Sequence, residues 1–162
     1  MRPIRLLFVA LLTTLWGVGT GAFALRGPDP APPVDSRVDA IAVLRAWDQR
    51  RAAAWESGDP EAVSALYVAG SAAGRADRTF LAAYAARGLR VDGLAMQVLA
   101  VDVLAATTDR LVLRVTDRVA ACVAVGRGRR IRLPRDEPST WKVVMVRDEA
   151  TWLVARAIQP AR

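Results

Sequence analysis

The sequence contains no histidine and a single cysteine, Cys122, among its 162 residues. Without histidine, the chain cannot build a Ser-His-Asp or Cys-His catalytic group, or a zinc site with histidine ligands. One cysteine cannot form an internal disulfide, a Cys-x-x-Cys pair or a thiolate cluster for a metal. We therefore expect neither a resident metal ion nor a cofactor.

The start of the chain has the features of a membrane-targeting segment. A charge-free run of twenty residues, Leu6 to Leu25, is flanked by Arg2 and Arg5 on one side and Arg26 on the other. This length approaches the ~20 apolar residues that span a bilayer as a helix. The basic start and the small residues around Phe23 also match a secretory signal peptide. Both interpretations place the rest of the chain outside the cytoplasm, because N-terminal arginines stay on the cytoplasmic side.

Composition divides the chain into three parts. Residues 1–25 are predicted to be a signal peptide or a membrane anchor. Residues 26–37 are predicted to be a linker, because four prolines in the nine residues from Arg26 to Val34 favour an extended spacer. Residues 38–162 remain as one folded domain of ordinary size. The protein is accordingly expected at the cell membrane, with a single N-terminal span and the domain outside, or secreted.

The first half of this domain has helical periodicity. Apolar residues recur along one side of a long first helix, with charged residues between them, and Asp35 or Ser36 is the expected N-cap. Gly58-Asp59-Pro60 marks the end of this helix and the start of a short second one. A small-residue loop at 69–74 precedes a third helix, which we expect to begin near Asp77 and to end at Gly88. The charged residues placed between apolar positions of the first helix are Arg45, Asp48, Arg50 and Arg51.

After Gly88 the period changes to two, which is typical of strands. Turn residues at 107–109, 126–128 and 148–149 separate a series of strands. Helices followed by an antiparallel sheet predict an α+β fold, with N-terminal helices packed against a curved sheet.

This order of elements resembles the nuclear transport factor 2-like superfamily, also called SnoaL-like. Three segments of the sequence carry the resemblance, which extends over roughly residues 38–158: Trp55-Glu56-Ser57-Gly58-Asp59-Pro60-Glu61, Leu66-Tyr67, and the closing pair Trp141-Lys142-Val143-Val144-Met145-Val146 with Thr151-Trp152-Leu153-Val154. The resemblance implies a cone formed by a sheet that wraps around the helices, with a ligand often held at its mouth. Enzymes of the superfamily use acids, tyrosines and often histidines inside the cone. Function must still be argued from the site itself.

Asp117 is the main candidate for chemistry. It shares the apolar face of its strand with Leu113, Val115 and Val119, where a carboxyl group has a raised pKa and can act as a general base. An ion pair with a neighbouring arginine is the structural alternative. The other residues proposed for a ligand pocket are aromatic, and each has an alternative role as a core residue: Tyr67, Tyr84 and Trp47.

Five arginines within nine residues form a basic hairpin: Arg127, Arg129, Arg130, Arg132 and Arg135. From Gly93 onward the chain has twelve basic and seven acidic residues, whereas residues 38–92 have seven of each. The net charge of +7 is therefore concentrated in the leader and the sheet half. The first four of these arginines are candidates for binding an anionic surface, with a solvated hairpin as the alternative. Nucleic acid is disfavoured because no aromatic residue interleaves with them.

These features favour an extracytoplasmic accessory or binding module without catalytic activity, which takes a small apolar ligand or a protein partner. Residues 6–25 would hold it to the membrane if the leader is not cleaved, and a homodimer is compatible with the sequence. A first alternative is a histidine-free isomerase or dehydratase that uses Asp117 with a tyrosine. A second is an interaction subunit of a membrane transport or secretion assembly.

Overall fold

The computed structural model describes residues 34–126 and 128–160, which belong to one compact unit, Pro32–Arg162. Within this part of the chain, no helix is long and apolar enough to cross a membrane. The predicted leader, residues 1–25, lies outside the described residues. Its two interpretations, anchor and cleaved signal, therefore remain predictions.

Three helices come first, as expected: α1 (Val34–Ser57), α2 (Pro60–Ser64) and α3 (Ala72–Ala85). The boundary between α1 and α2 follows the predicted signals. Gly58 adopts the left-handed conformation with φ 71°, and the Asp59 side chain accepts a hydrogen bond from the Glu61 backbone N–H at 2.9 Å. Pro60 then occupies the first turn, where its missing N–H costs nothing.

The start of α1 differs from the expectation. The helix begins at Val34, so Asp35 and Ser36, which were predicted to cap it, lie within its first turn. The helix therefore includes the last four residues of the segment that was predicted to be a linker. Of the four prolines in that segment, Pro33 is the last, and a proline next to the first helical residue does not interrupt the helix.

The start of α3 also differs from the expectation, and the difference changes the position of Asp77 in the helix. Asp77 was predicted to begin this helix, but it lies in the middle of it, with 5% of its surface exposed. The cap is Ser71, whose hydroxyl accepts a hydrogen bond from the Gly74 N–H at 3.3 Å. The small-residue segment predicted as a loop is thus partly helical, because serine caps a helix and alanine favours its interior.

The second half of the chain forms one antiparallel sheet in the order β1-β2-β4-β5, with β3 paired to β2 beside β4. The strands follow one another as predicted: β1 (Arg90–Ala106), β2 (Arg110–Gly126), β3 (Arg129–Arg132), β4 (Ser139–Asp148) and β5 (Thr151–Ile158). The expected α+β plan, helices packed against an antiparallel sheet, is confirmed. The architecture is consistent with a nuclear transport factor 2-like fold.

Irregular pairing curves the sheet. The register between β1 and β2 shifts at four places, and one of these shifts includes Gly93, which has a positive φ of 61°. Each bulge adds a residue to one strand and bends it locally. The two 17-residue strands therefore curl around the helices.

The core lies between the helices and the inward face of the sheet. Leu113, Val115 and Met145 on this face are at most 1% exposed, and Trp55 of α1 is completely buried. Directly paired residues of neighbouring strands point to the same side of a sheet. The pairs Leu113–Val143 and Val115–Trp141 thus define the inward face of β2 and β4.

Candidate functional site

One side of α1 carries both apolar and charged residues toward the sheet. Leu44, Trp47, Asp48, Arg51 and Trp55 are spaced by three or four residues, which places them on the same side of a helix. Asp48 is half-buried, and the Arg51 side chain is only 15% exposed. The sequence pattern places these two charged residues between the apolar positions, and the structure puts both on the core side of the helix.

Arg51 forms a buried ion pair with Asp77 of α3. Its Nε lies 2.8 Å from Asp77 Oδ2, and its Nη2 lies 2.6 Å from Oδ1. Trp55 Nε1 also donates to Oδ1 at 3.1 Å, and the Tyr67 hydroxyl donates to Oδ2 at 2.8 Å. The Asp77 carboxylate thus accepts four hydrogen bonds, which compensate for its removal from water.

The electrostatics of this network follow from its geometry. Burial by itself raises the pKa of Asp77, but the Arg51 charge and the hydrogen bonds from Arg51, Tyr67 and Trp55 outweigh it and hold the pKa below its usual value. Burial, together with the Asp77 charge, raises the pKa of Tyr67. Arg51 and Asp77 are therefore both charged, and Tyr67 keeps its proton, throughout the physiological range.

Two of the predicted pocket residues belong to this structural framework. Tyr67 is bound to Asp77, and its ring lies edge-on to Trp47 with the centroids 5.5 Å apart. Trp47 Nε1 donates to the Leu66 carbonyl at 2.9 Å. Both side chains are less than 10% exposed. The structure therefore brings Tyr67 to Asp77, with which it shares a hydrogen bond, and not to Asp117.

Tyr84, the third predicted pocket residue, also lies in the core. It is 7% exposed, and its ring lies edge-on to Trp55 at 5.9 Å between centroids. Burial raises its pKa to about 12. The phenol therefore stays protonated at neutral pH.

Asp117 lies where the alternating pattern of its strand predicted. It shares the inward face of β2 with Leu113, Val115 and Val119, which are at most 6% exposed, while Asp117 itself is half-buried. Ser139 of β4 lies directly opposite, and its Oγ accepts a hydrogen bond from Trp141 Nε1 at 2.9 Å. The carboxyl group is thus on the helix side of the sheet, at a place where the core becomes accessible to water.

The negative charge of Asp48 affects the ionisation of Asp117, and the two residues are hereafter called the acid pair. Burial raises the pKa of Asp117 to about 6, the negative charge of Asp48 contributes, and Arg51 opposes it. Burial likewise raises the pKa of Asp48 to about 6, again against the effect of Arg51. Because the Arg51 charge is already engaged by Asp77, it compensates only partly for two further carboxylates. Both members of the acid pair therefore have a pKa of about 6, well above the ordinary value of 3.8.

A third carboxylate adds to the negative potential. Asp136, in the loop between β3 and β4, further raises the pKa of Asp117. Its backbone N–H donates to the Val119 carbonyl at 3.2 Å, which holds the loop against β2. A chain with a net charge of +7 thus concentrates negative charge at one half-buried place between α1 and the sheet. Such a place attracts a cation, or a proton, from solution.

The basic hairpin is only partly described, because Arg127 lies outside the described residues. Arg129, Arg130 and Arg132 form β3, and all three are exposed. Arg130 Nη1 lies 3.1 Å from Asp92 Oδ2, and Arg90 binds the other oxygen of the same carboxylate. Arg130 and Arg132 belong to the outer side of the sheet edge, whereas Arg129 alternates to the other side of β3, and the structure does not bring these arginines to the acid pair.

Sequence reasoning missed Asp48 as a partner of Asp117 and Arg51 as a partner of Asp77. The signal was present for both α1 residues, since their spacing from Leu44 and Trp55 puts them on the core side. No comparable spacing indicated that Asp77 is buried, because an acidic residue near the start of a helix is also typical of an N-cap. In the described part of the chain, no group of three or more acidic or cysteine side chains is arranged to hold a metal ion.

Comparisons with known proteins show likeness in fold only. No known protein family model matches the sequence, and no curated protein matches it significantly. Among solved structures, the intermembrane space region of the chloroplast protein ARC6 is similar, with a TM-score of 0.53 and 17% sequence identity. The likeness covers 81% of this chain and 100% of that one. It shows a shared fold.

Two other solved structures are also similar to this chain. A protein of unknown function from Mycobacterium tuberculosis superimposes with a TM-score of 0.50 and 14% identity, over 83% of this chain and 79% of that one. A protein described as NTF2-like with a cystatin-like fold, from Novosphingobium aromaticivorans, has a TM-score of 0.40 and 17% identity, over 76% of this chain and 84% of that one. A TM-score of 0.40 is too low to support an argument about this chain.

Proposed function

We propose that the chain is an extracytoplasmic binding module without catalytic activity, which holds a small ligand with a cationic group at the acid pair. The observation that carries the proposal is a pair of half-buried carboxyl groups, Asp48 on α1 and Asp117 on the inward face of β2, whose pKa values lie near 6. A positively charged group placed between them would stabilise both ionised carboxylates. The half-buried side chains of Val98 and Trp141, which lie next to Asp117 in the sheet, would contact the rest of the ligand.

The location of the other candidate groups supports binding over catalysis. An acid–base enzyme built on Asp117 and a tyrosine needs the phenol within hydrogen-bond reach of the reacting atoms. The Tyr67 hydroxyl instead donates to Asp77, and Trp55 and Met145 are completely buried in the core. The polar groups of this region thus serve mainly to join α1, α3 and the segment that contains Tyr67.

The experiment uses two fluorescent probes that share an aromatic body. Dansylcadaverine carries a primary ammonium group, and its N-acetyl derivative has the same dansyl group and alkyl chain without the charge, so a comparison of their affinities at pH 8 isolates the effect of the cation. We expect the full chain to prefer dansylcadaverine. Asp117→Asn should weaken its binding by about tenfold or more, because a charge-assisted hydrogen bond contributes about 1.5–3 kcal/mol. Binding should also weaken below pH 6, where the pair takes up protons.

A matched control is available on the other side of the sheet. Asp102→Asn removes one carboxylate whose side chain is 57% exposed, and it should leave probe binding unchanged. Equal affinity for the two probes, or an Asp117→Asn chain that binds as well as the unaltered one, would refute the cation site.

The raised pKa values of Asp48 and Asp117 also favour a second function, acid–base catalysis. A half-buried carboxylate with a pKa near 6 is a stronger base than an ordinary one, and a protonated neighbour can return the proton. In this scheme Asp117 is the base, Asp48 is the acid and no tyrosine takes part. It differs from the sequence-based alternative in the identity of the second group.

Nitrobenzisoxazole tests this second function without knowledge of a natural substrate. A base removes its C–H proton while the N–O bond breaks, and the coloured nitro-cyanophenolate is released. Catalysis requires turnover that rises through about pH 6 and is abolished by Asp117→Asn. If turnover by the unaltered chain equals that of the Asp48→Asn, Asp117→Asn double variant, the enzyme proposal fails and the binding proposal stands on the probe affinities.

The proposed location rests on the leader and on one structural likeness. The charge pattern around residues 6–25 predicts translocation of the domain, and the similar region of ARC6 lies in an intermembrane space. Sequencing the N-terminus of the protein from membrane and secreted fractions distinguishes an anchor from a cleaved signal. Recovery of the chain in the cytoplasm would contradict both.

A further inference from the structure

The register of the sheet gathers basic side chains on its outward face. Directly paired residues point to the same side, so Arg90, Val125 and Arg130 form one row across β1, β2 and β3. Asp92, Val123 and Arg132 form the next row. Asp102, Arg114 and Lys142 form a third row farther along, across β1, β2 and β4. Arg118, paired with Gln97, lies between the second and third rows.

We call this surface the basic face. Its three rows and Arg118 contain six basic and two acidic side chains, a net charge of +4. Its basic members are Arg90, Arg114, Arg118, Arg130, Arg132 and Lys142. They are far apart in the sequence, so the charged hairpin noticed in the sequence is one edge of a larger surface.

The two acids do not neutralise this surface. Arg90 Nε and Arg130 Nη1 each lie 3.1 Å from a carboxylate oxygen of Asp92. The side chains of the two arginines nevertheless remain 59% and 63% exposed. Asp102 lies 3.7 Å from Arg114, whose side chain is 54% exposed. Exposed pairs of this kind are weak. The guanidinium groups therefore remain accessible to an external anion.

The uncharged residues of the basic face distinguish between anionic partners. Val123 and Val125 lie half-buried between the arginines, and Ile158, paired with Lys142, is 48% exposed. Among the described residues of this face none is aromatic, so it offers no platform for stacking bases. Arginines interspersed with aliphatic side chains match the boundary between lipid headgroups and acyl chains.

We propose that the basic face docks on an anionic phospholipid bilayer. Lipid phosphates would bind the exposed guanidinium groups, and the aliphatic side chains would contact the headgroup region. The helices and the acid pair lie on the opposite side of the sheet, where Leu113 and Met145 are buried. Docking would therefore leave the ligand site turned away from the membrane, and it does not depend on the function proposed for that site.

The test compares binding of the full chain to two kinds of vesicle, pure phosphatidylcholine and an equimolar mixture of phosphatidylcholine and phosphatidylglycerol. The leader contributes to both, so the measured quantity is the ratio of the two affinities. We expect a preference for the anionic vesicles that falls as salt is added. The triple variant Arg114→Gln, Arg132→Gln, Lys142→Gln should reduce this preference by one to two orders of magnitude, since each basic residue near such a surface contributes about 1 kcal/mol.

A control variant separates this surface from net charge. Arg45→Gln, Arg75→Gln, Arg78→Gln removes the same number of charges from exposed positions of α1 and α3 and should keep the preference. An equal loss in both variants would overturn the proposal, as would a wild-type chain that binds both vesicles alike. Tighter binding to a single-stranded oligonucleotide than to anionic vesicles, lost in the first variant only, would replace the lipid with nucleic acid.

Discussion

The guanidinium group of Arg51 and the carboxylate of Asp77 face each other across the interface between α1 and α3, joined by two hydrogen bonds of 2.6 and 2.8 Å. Trp55 and Tyr67 complete the coordination of the carboxylate. Three separate segments of the chain therefore meet at one buried charge. Removal of either partner leaves the other buried without compensation.

Asp77→Asn should lower the free energy of unfolding by about 3 kcal/mol at pH 7, because it leaves Arg51 buried without its counter-charge. Denaturant unfolding of the variant and the unaltered chain measures this difference. Asp102→Asn breaks a solvent-exposed pair and should change the free energy by less than about 1 kcal/mol. Equal losses in the two variants would show that the buried pair contributes no more than a surface one.

The acid pair should make the protein less stable as the pH rises. Asp48 and Asp117 have folded-state pKa values of about 6, above the ordinary value of 3.8. Between these values the native state holds more protons than the unfolded state, so its stability falls as the pH increases through this window. Asp77 has a lowered pKa, so its contribution is lost only at lower pH, as the pH falls through its folded-state pKa.

Asp117→Asn removes one member of the pair, so it should make unfolding less dependent on pH in this window. It should also stabilise the protein at pH 7 by up to about 3 kcal/mol, since the pKa lies about two units above its ordinary value and each unit corresponds to 1.36 kcal/mol. Thermal unfolding of both chains at several pH values measures both effects. A variant that is less stable than the unaltered chain at pH 7 would indicate that Asp117 is held by favourable contacts. Destabilising groups kept at one place are typical of functional sites.

Gly74→Ala tests the packing of α3 against the segment that contains Tyr67. A Cβ atom at this position would lie 2.8 Å from Tyr67 Cβ and 2.9 Å from its Cγ, which is closer than real carbon atoms approach. Alanine in a helix normally stabilises by about 1 kcal/mol relative to glycine. We expect the clash to reverse that sign and lower the free energy of unfolding by about 1–3 kcal/mol. A stabilised variant would contradict the packing described here.

Local signals predicted most of the fold. Gly58, Asp59 and Pro60 each act at the α1–α2 boundary as their chemistry requires, and the alternation around Asp117 placed that residue on the inward face. Such features depend on neighbours in the sequence, whose spacing is fixed by the helix or strand itself. The sequence was therefore sufficient for the order of elements and for one residue of the candidate site.

The tertiary partners of these residues were not predictable in the same way. Nothing local links Arg51 to Asp77, 26 positions away, or Asp48 to Asp117. The bulges between β1 and β2 also shift which residues face inward, so that Cys122 and Ala124 are buried at even positions whereas Leu113 and Val115 are buried at odd ones. A strict alternation of inward and outward residues along β2 does not predict that change.

Titration of the acid pair by carboxyl-carbon NMR, with and without dansylcadaverine, is the most direct test of the proposed site. The account predicts that the Asp48 and Asp117 resonances in the free protein titrate with apparent pKa values near 6. It further predicts that saturating probe lowers both values. Ordinary pKa values for both residues in the free protein, or values that do not change when the probe is added, would contradict it.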